Sequence, residues 1–152
     1  MALESISHEV DGASLTWDLS RGTLNFLGLP SALLWLDPSL RRLIEPLVHE
    51  VGAPLYRLLT AHHASLGTDA DHATIMAAGD FETGFRGWAS AVAVAGWGRF
   101  TLLAYDPKTP RARVRVDSPW ELELQRSLPP ERRWGCPFAQ GKLIGLFCHA
   151  LA

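Results

Sequence analysis

The sequence is poor in several things that would have pointed to a function. Only two of its 152 residues are cysteine, Cys136 and Cys148, which excludes a disulfide-stapled scaffold. None is needed, because a chain of this length buries roughly 70% of its unfolded surface in one core. Lysine is equally scarce, two residues against twelve arginines, and the net charge of −2 leaves no electrostatic footprint for nucleic acid. No apolar run reaches the roughly 18 residues of a membrane-spanning helix. Residues 1–12 lack the basic-then-apolar order of a signal peptide, so the expected location is cytoplasmic, with no membrane partner. Catalytic signatures are missing as well: there is no G-x-S-x-G elbow and no H-E-x-x-H pair. Gly96-Trp97-Gly98 lacks the later glycine and Lys-Ser/Thr of a phosphate loop. The expectation is a protein that is not an enzyme.

What is present is a globular composition, 47% hydrophobic and 20% charged, with no internal repeat or low-complexity segment. Leu15, Trp17 and Leu19 alternate, Ser20-Arg21-Gly22 supplies a turn, and Leu24 and Phe26 resume the alternation up to Gly28; this predicts a hairpin or two short strands. Asp37 as N-cap and Pro38 at the first position open a helix whose stripe is Leu40, Leu43, Ile44, Leu47, Val48 and Val51, with a kink or break predicted at Pro46. Gly52 and Pro54 separate it from a second run, Leu55, Leu58, Leu59 and His62.

After a polar stretch, residues 65–71, a third helix carries Phe81, Phe85, Trp88, Ala89 and Val92 on one face. Its glycines, Gly79, Gly84 and Gly87, call for close packing or a ligand to compensate their low helicity. A strand over 100–105, a turn Asp106-Pro107-Lys108-Thr109-Pro110 and a returning strand over 113–116 follow. Trp120, Leu122 and Leu124 continue the alternation, placing Glu121 and Glu123 on the wet side. Residues 128–134 form a polar loop, and a last helix runs from Pro137 to the end without a C-cap signal, as if the natural chain continued. The class predicted is α+β, helices packed on one face of a small, mainly antiparallel sheet, in a single domain over 1–152.

Three groups of residues invite a chemical reading. Cys136, Cys148 and His149 are soft ligands, but a spacing of twelve matches no compact zinc knuckle, and twelve residues of helix separate two thiols by about 18 Å. Buried or idle thiols are expected, without a stoichiometric metal. His62-His63 with Asp69, Asp71 and His72 reads as a solvated face, since adjacent helical histidines diverge by about 100°. Six tryptophans are many for this length; most are expected in the core, while Phe85, Trp88, Val114, Val116 and Trp120 are the candidate walls of a pocket for a flat or apolar molecule. Gly141 and Gly145, four apart on the last helix, permit close helix contact and are expected to serve internal packing.

The last third also carries a family pattern. Gly98-Arg99-Phe100, then Val114-x-Val116-Asp117-Ser118-Pro119-Trp120-Glu121, then Cys136-Pro137-Phe138-Ala139-Gln140-Gly141-Lys142-Leu143-Ile144-Gly145 resembles the 4-vinyl-reductase-type domain, with its aromatic-rich strand pair, D/N-S motif and C-x-x-x-x-G-x-x-x-G. Leu33-Leu34 through Leu43-Ile44-Glu45 and Val51-Gly52, then Tyr56-Arg57-Leu58-Leu59, is similar to the helical half of the sensor domains of phenol- and xylene-responsive bacterial transcription activators. The resemblance covers about residues 20–152.

It implies a Bet3-like fold, a non-catalytic sensor module for a small apolar or aromatic ligand, a homodimer, and control of an attached output domain in a longer signalling protein. The alternatives it leaves are a dimerising scaffold without ligand and a tetrapyrrole-related accessory protein. Cys136 matches a family zinc ligand whose partners belong to a hairpin after this helix, so no metal or other cofactor is expected from the residues present. The neighbourhood of Thr83 lacks the effector-binding His of the relatives, and a phenol-specific hydrogen bond is not expected.

Overall fold

The computed structural model describes residues 5–34, 36–65 and 68–151, with the side chains of Asp37, Pro38 and Thr68 outside the description. The α+β class holds. The N-terminal segment is a four-stranded antiparallel meander: β1 (Ser5–Val10), β2 (Ala13–Asp18), β3 (Thr23–Phe26) and β4 (Leu29–Ser31), paired in chain order. Two of these strands go beyond the expected hairpin. Asp11-Gly12 and Leu27-Gly28 make the tight reversals, all four residues at positive φ, the twist that matches two-residue hairpin loops. Between β2 and β3, the Asp18 carboxylate accepts bonds from the Ser20 and Arg21 N–H groups, at 3.0 and 3.1 Å.

A π-helical turn, Leu36–Leu40, leads into α1 (Arg41–Val51), followed by α2 (Ala53–Ser65). The expectation of Asp37 as N-cap falls on a side chain outside the described residues. Helix α1 runs through Pro46, and the break comes at Gly52, where φ is +65°. Next come α3 (Thr68–Met76) and α4 (Phe81–Val94), the latter capped by Asp80, whose side chain accepts from Thr83 N–H at 2.8 Å. Strands β5 (Arg99–Asp106) and β6 (Arg111–Asp117) form a separate two-stranded sheet with a bulge between Leu102 and Ala104. Helix α5 (Trp120–Leu124) and a single 3-10 turn, Pro130–Arg132, connect to α6 (Pro137–Ala150).

The core lies where α4 meets the β5–β6 hairpin and α6. Ile75, Phe81, Phe85, Trp88, Ala89, Phe100, Ala139 and Leu146 are buried together there. On α4 the spacing 81, 85, 88, 89 delivers one stripe to this core, as the periodicity predicts.

The three glycines of that region behave differently. Gly79 stands in the preceding turn at φ +95°. Gly84 is buried, and a Cβ there would overlap the carbonyl of Ile75, so α3 and α4 touch backbone to backbone. Gly87, one turn along, has open space around it. Gly84→Ala is therefore expected to destabilise the protein by about 1–3 kcal/mol through overpacking, while Gly87→Ala stabilises it by about 0.5–1 kcal/mol through helix propensity. Denaturant titration of both variants checks the contrast; equal effects would mean that the α3–α4 seam does not depend on the missing side chain. Gly141 plays the same part at the crossing of α6 and α2, where a Cβ would meet the Thr60 carbonyl and the Ala64 N–H. Gly141 thus serves internal packing, as expected.

The segment after Pro119 departs from expectation. Trp120, Leu122 and Leu124 do not continue a strand. Ser118 at φ +50° and extended Pro119 end β6 and start α5. The period changes from two to 3.6, so Glu121, Leu124 and Gln125 turn inward and Leu122 is left 44% exposed. Glu121, assigned by alternation to the wet side, is 1% exposed.

Candidate functional site

The five residues expected to wall a pocket fall into two places. Phe85 and Trp88 lie in the core with ring centroids 5.4 Å apart, and Val114 and Val116 of β6 pack against that cluster. Phe85 has no exposed surface. Trp120 stands apart, its ring 5.4 Å from that of Phe138 on α6. The structure thus brings four of the five together as mutually packed core.

Trp88 also reaches a different space. Between the meander and the helices is a cleft of about 520 Å3, lined by Leu24, Phe26 and Leu33 on the meander side and by Trp88, Val92 and Trp97 opposite. The turn of the first hairpin is tied to this helical wall by a hydrogen bond between Ser90 and Asp11. Sequence alternation marks Leu24 and Phe26 as strand residues facing something apolar. It cannot say that the facing surface is α4, some sixty residues later.

The charged groups in this lining are Asp71 of α3 and Lys142 of α6, paired at 2.7 Å. The Lys142 side chain is 8% exposed and that of Asp71 30%, so the ammonium belongs to the interior and the carboxylate to its edge. Asp71 was expected on a solvated face with its neighbours, and only part of that group is found there. His62 and Asp69 are exposed. His149 reaches Asp69 at 2.9 Å and stacks on His72 at 5.5 Å.

His63 departs from the solvated face as well. Its ring lies 5.5 Å from Trp97 and 5.3 Å from Phe138, and its Nε2 is buried with no hydrogen-bond partner among the described residues. Burial first, then the Lys142 charge, holds His63 below the ordinary histidine range and keeps it neutral at physiological pH.

Cys136 precedes α6 and is half-buried, while Cys148 is exposed. Burial, with the Glu121 carboxylate adding to it, pushes the Cys136 thiol up to about 11, so it stands protonated beside the start of α6. Among the described residues no group of three or more His, Cys, Asp or Glu side chains is placed to hold a metal ion.

A second hollow, about 570 Å3, follows α4 and β5 past Glu82, Arg86, Ser90 and Arg99. Its lining mixes those charged and polar groups with core residues such as Phe85 and Phe100, whereas the cleft beside the meander is lined mostly by apolar side chains. No described helix is long and apolar enough to cross a membrane. Fold and cleft together define a small α+β domain with an apolar recess closed on one side by a β-meander. Compared with family models, curated proteins and solved structures, the chain matches none.

Proposed function

We propose that this chain is a non-catalytic sensor module that binds a small apolar or aromatic molecule and controls an attached output domain, as in signal-dependent transcription regulation in the cytoplasm. The observation that carries the reading is the apolar cleft of about 520 Å3, which falls within the roughly 300–1,000 Å3 usual for small-molecule sites. Its walls are tryptophan, phenylalanine and branched aliphatic side chains, with a single ion pair at one place, a composition suited to binding and lacking a nucleophile–base arrangement. The resemblance of the C-terminal motif to 4-vinyl-reductase-type domains, and through them to a Bet3-like fold, points the same way. Phe85, Val114 and Val116 back the Trp88 wall in this proposal, and Trp120 supports α6 from below.

Titration with naphthalene-class compounds, followed by tryptophan fluorescence, tests it. Trp88→Ala is expected to weaken binding by roughly 1–3 kcal/mol, with a thermal melt run beside the isotherm to separate affinity from stability. Ala91→Phe, which fills the cleft from α4 without removing a core side chain, should abolish binding. Absence of binding by wild-type protein across such a panel would defeat the reading.

The proposal includes a homodimer. Leu43 (63%), Leu47 (49%) and Val51 (48%), four apart and so on one face of α1, stay exposed, as does Leu58 (64%) on α2, and an exposed apolar stripe of that kind is uncommon on soluble monomers. Light scattering at micromolar concentration should give twice the chain mass, and Leu47→Glu should halve it; a single-chain mass for the unaltered protein would count decisively against the dimer.

A further inference from the structure

The cleft carries more information than its apolar walls. An ion pair between α3 and α6 lies in its lining, and its two members differ in how easily they return to water. Lys142 is 8% exposed and meets the outside only through the cleft it lines, whereas Asp71 is 30% exposed. Asp71 also stands in the first turn of α3, where the helix N-terminus favours its charge without any help from Lys142.

An anion entering the cleft would therefore compete with Asp71 for the ammonium on unequal terms. The buried cation must keep a negative partner, because an uncompensated charge there is expensive, while the carboxylate at the rim can turn outward at little cost. A neutral apolar molecule gains nothing from this arrangement.

We propose that Lys142 receives the carboxylate of an apolar acid seated among Leu24, Phe26, Trp88 and Trp97, and that Asp71 releases the ammonium and turns to water. The inference rests on the reading of the cleft as a small-molecule site and assigns that molecule its chemical class. It also changes one of the links between the helices: Lys142–Asp71 joins α6 to α3, so occupation by the acid exchanges a protein–protein ion pair for a protein–ligand one and leaves His149, with Asp69 and His72, as a remaining polar contact between them.

Naphthalene-2-carboxylate and its neutral isostere naphthalene-2-carboxamide separate the possibilities by calorimetry at fixed ionic strength. Unaltered protein should bind the carboxylate at least about tenfold more tightly than the amide. Lys142→Met should erase the preference while leaving amide binding in place. Asp71→Asn takes the competing carboxylate away from buried Lys142, so it should lower the melting temperature of the free protein, raise carboxylate affinity, and let the carboxylate restore more of that melting temperature than the amide does; this pattern decides the matter if Lys142→Met fails to fold.

Equal binding of the two probes by unaltered protein overturns the assignment of an acid and leaves the apolar cleft standing. A carboxylate preference that persists in Ala91→Phe places the acid elsewhere and overturns it too. Binding of neither probe removes the cleft reading itself, and this inference with it.

Discussion

Phe85→Ala is expected to lower the stability of this protein by about 3–5 kcal/mol. Phe85 has no exposed surface, and its ring lies 5.9 Å from Phe81, 5.4 Å from Trp88 and 5.6 Å from Phe147, so it joins α4 to α6 at the centre of the core. The cost of a large-to-small change depends on how far the neighbours relax into the void. Here they are held: the residue before it, Gly84, is already in backbone contact with Ile75, which prevents α3 from following α4 inward. A loss of that size is a large part of the 5–15 kcal/mol that ordinarily holds a domain together.

Urea unfolding monitored by circular dichroism is the measurement. Leu103→Ala serves as reference, because Leu103 is the 46% exposed residue at the β5 bulge and should cost no more than about 0.5 kcal/mol. A Phe85→Ala loss comparable to that of Leu103→Ala would mean that the core is loosely packed around this ring.

The elements that were legible in the sequence are those whose burial repeats with their own geometry. Helix α4 sends Phe81, Phe85 and Trp88 to one face, and the β5–β6 hairpin encloses a proline-bounded turn, so pattern and structure agree. Helix α3 offers no such stripe: among its described side chains, residues 69–76, only Ile75 is buried as core. Strand β1 is exposed along its whole length, so no alternation betrays it, although Asp11-Gly12 between Val10 and Ala13 is a strong hairpin signal that stood in plain view. Pro119 and the run to Leu124 are too short to distinguish a period of two from one of 3.6, and the deciding fact is tertiary, the need of α6 for an acceptor at its N-terminus.

The candidate site divides along the same line. Trp88 was legible because it belongs to a periodic helix. The meander wall and the Lys142–Asp71 pair were not, since they join positions about sixty and about seventy residues apart whose proximity no local pattern encodes.

That need of α6 sets the second large effect. Glu121→Ala should destabilise the fold by about 3 kcal/mol. The Glu121 carboxylate accepts from Phe138 N–H and from Ala139 N–H, both at 2.9 Å, and so satisfies two of the orphan donors that open every helix. Each buried donor left bare costs about 1–3 kcal/mol, and a negative charge at this end of the helix is lost as well. Gln125 cannot take over, since its Oε1 already accepts from Trp134 and Gly135 N–H while its Nε2 donates to the carbonyls of Glu121 and Gly135.

Glu121→Gln keeps the shape but offers one acceptor where two are needed, and should fall between wild type and alanine. It also isolates a pH effect. Burial raises the Glu121 carboxyl above the ordinary glutamate range, with the two backbone bonds working against the rise. The stability linked to its proton is therefore complete below the unfolded value, roughly 4.3, and lost as pH climbs through the folded one. Asp80 and Asp106 are held below the usual carboxylate range by hydrogen bonds, so their contributions change at lower pH and in the opposite sense. Subtracting the Glu121→Gln profile from that of wild type should leave a stability that declines with rising pH above about 4.3; a flat difference would mean that the carboxylate titrates alike in the folded and unfolded chain.

Thiol kinetics supply a second observable. In wild type the exposed Cys148 should react first and the half-buried Cys136, with its thiol at about 11, much more slowly. Removing the Glu121 carboxylate takes away the negative charge that helps keep Cys136 protonated and loosens the first turn of α6. Both cysteines of Glu121→Ala should then react quickly with an aromatic disulfide reagent, whereas an unchanged slow phase would show that α6 keeps its N-terminal anchor without Glu121.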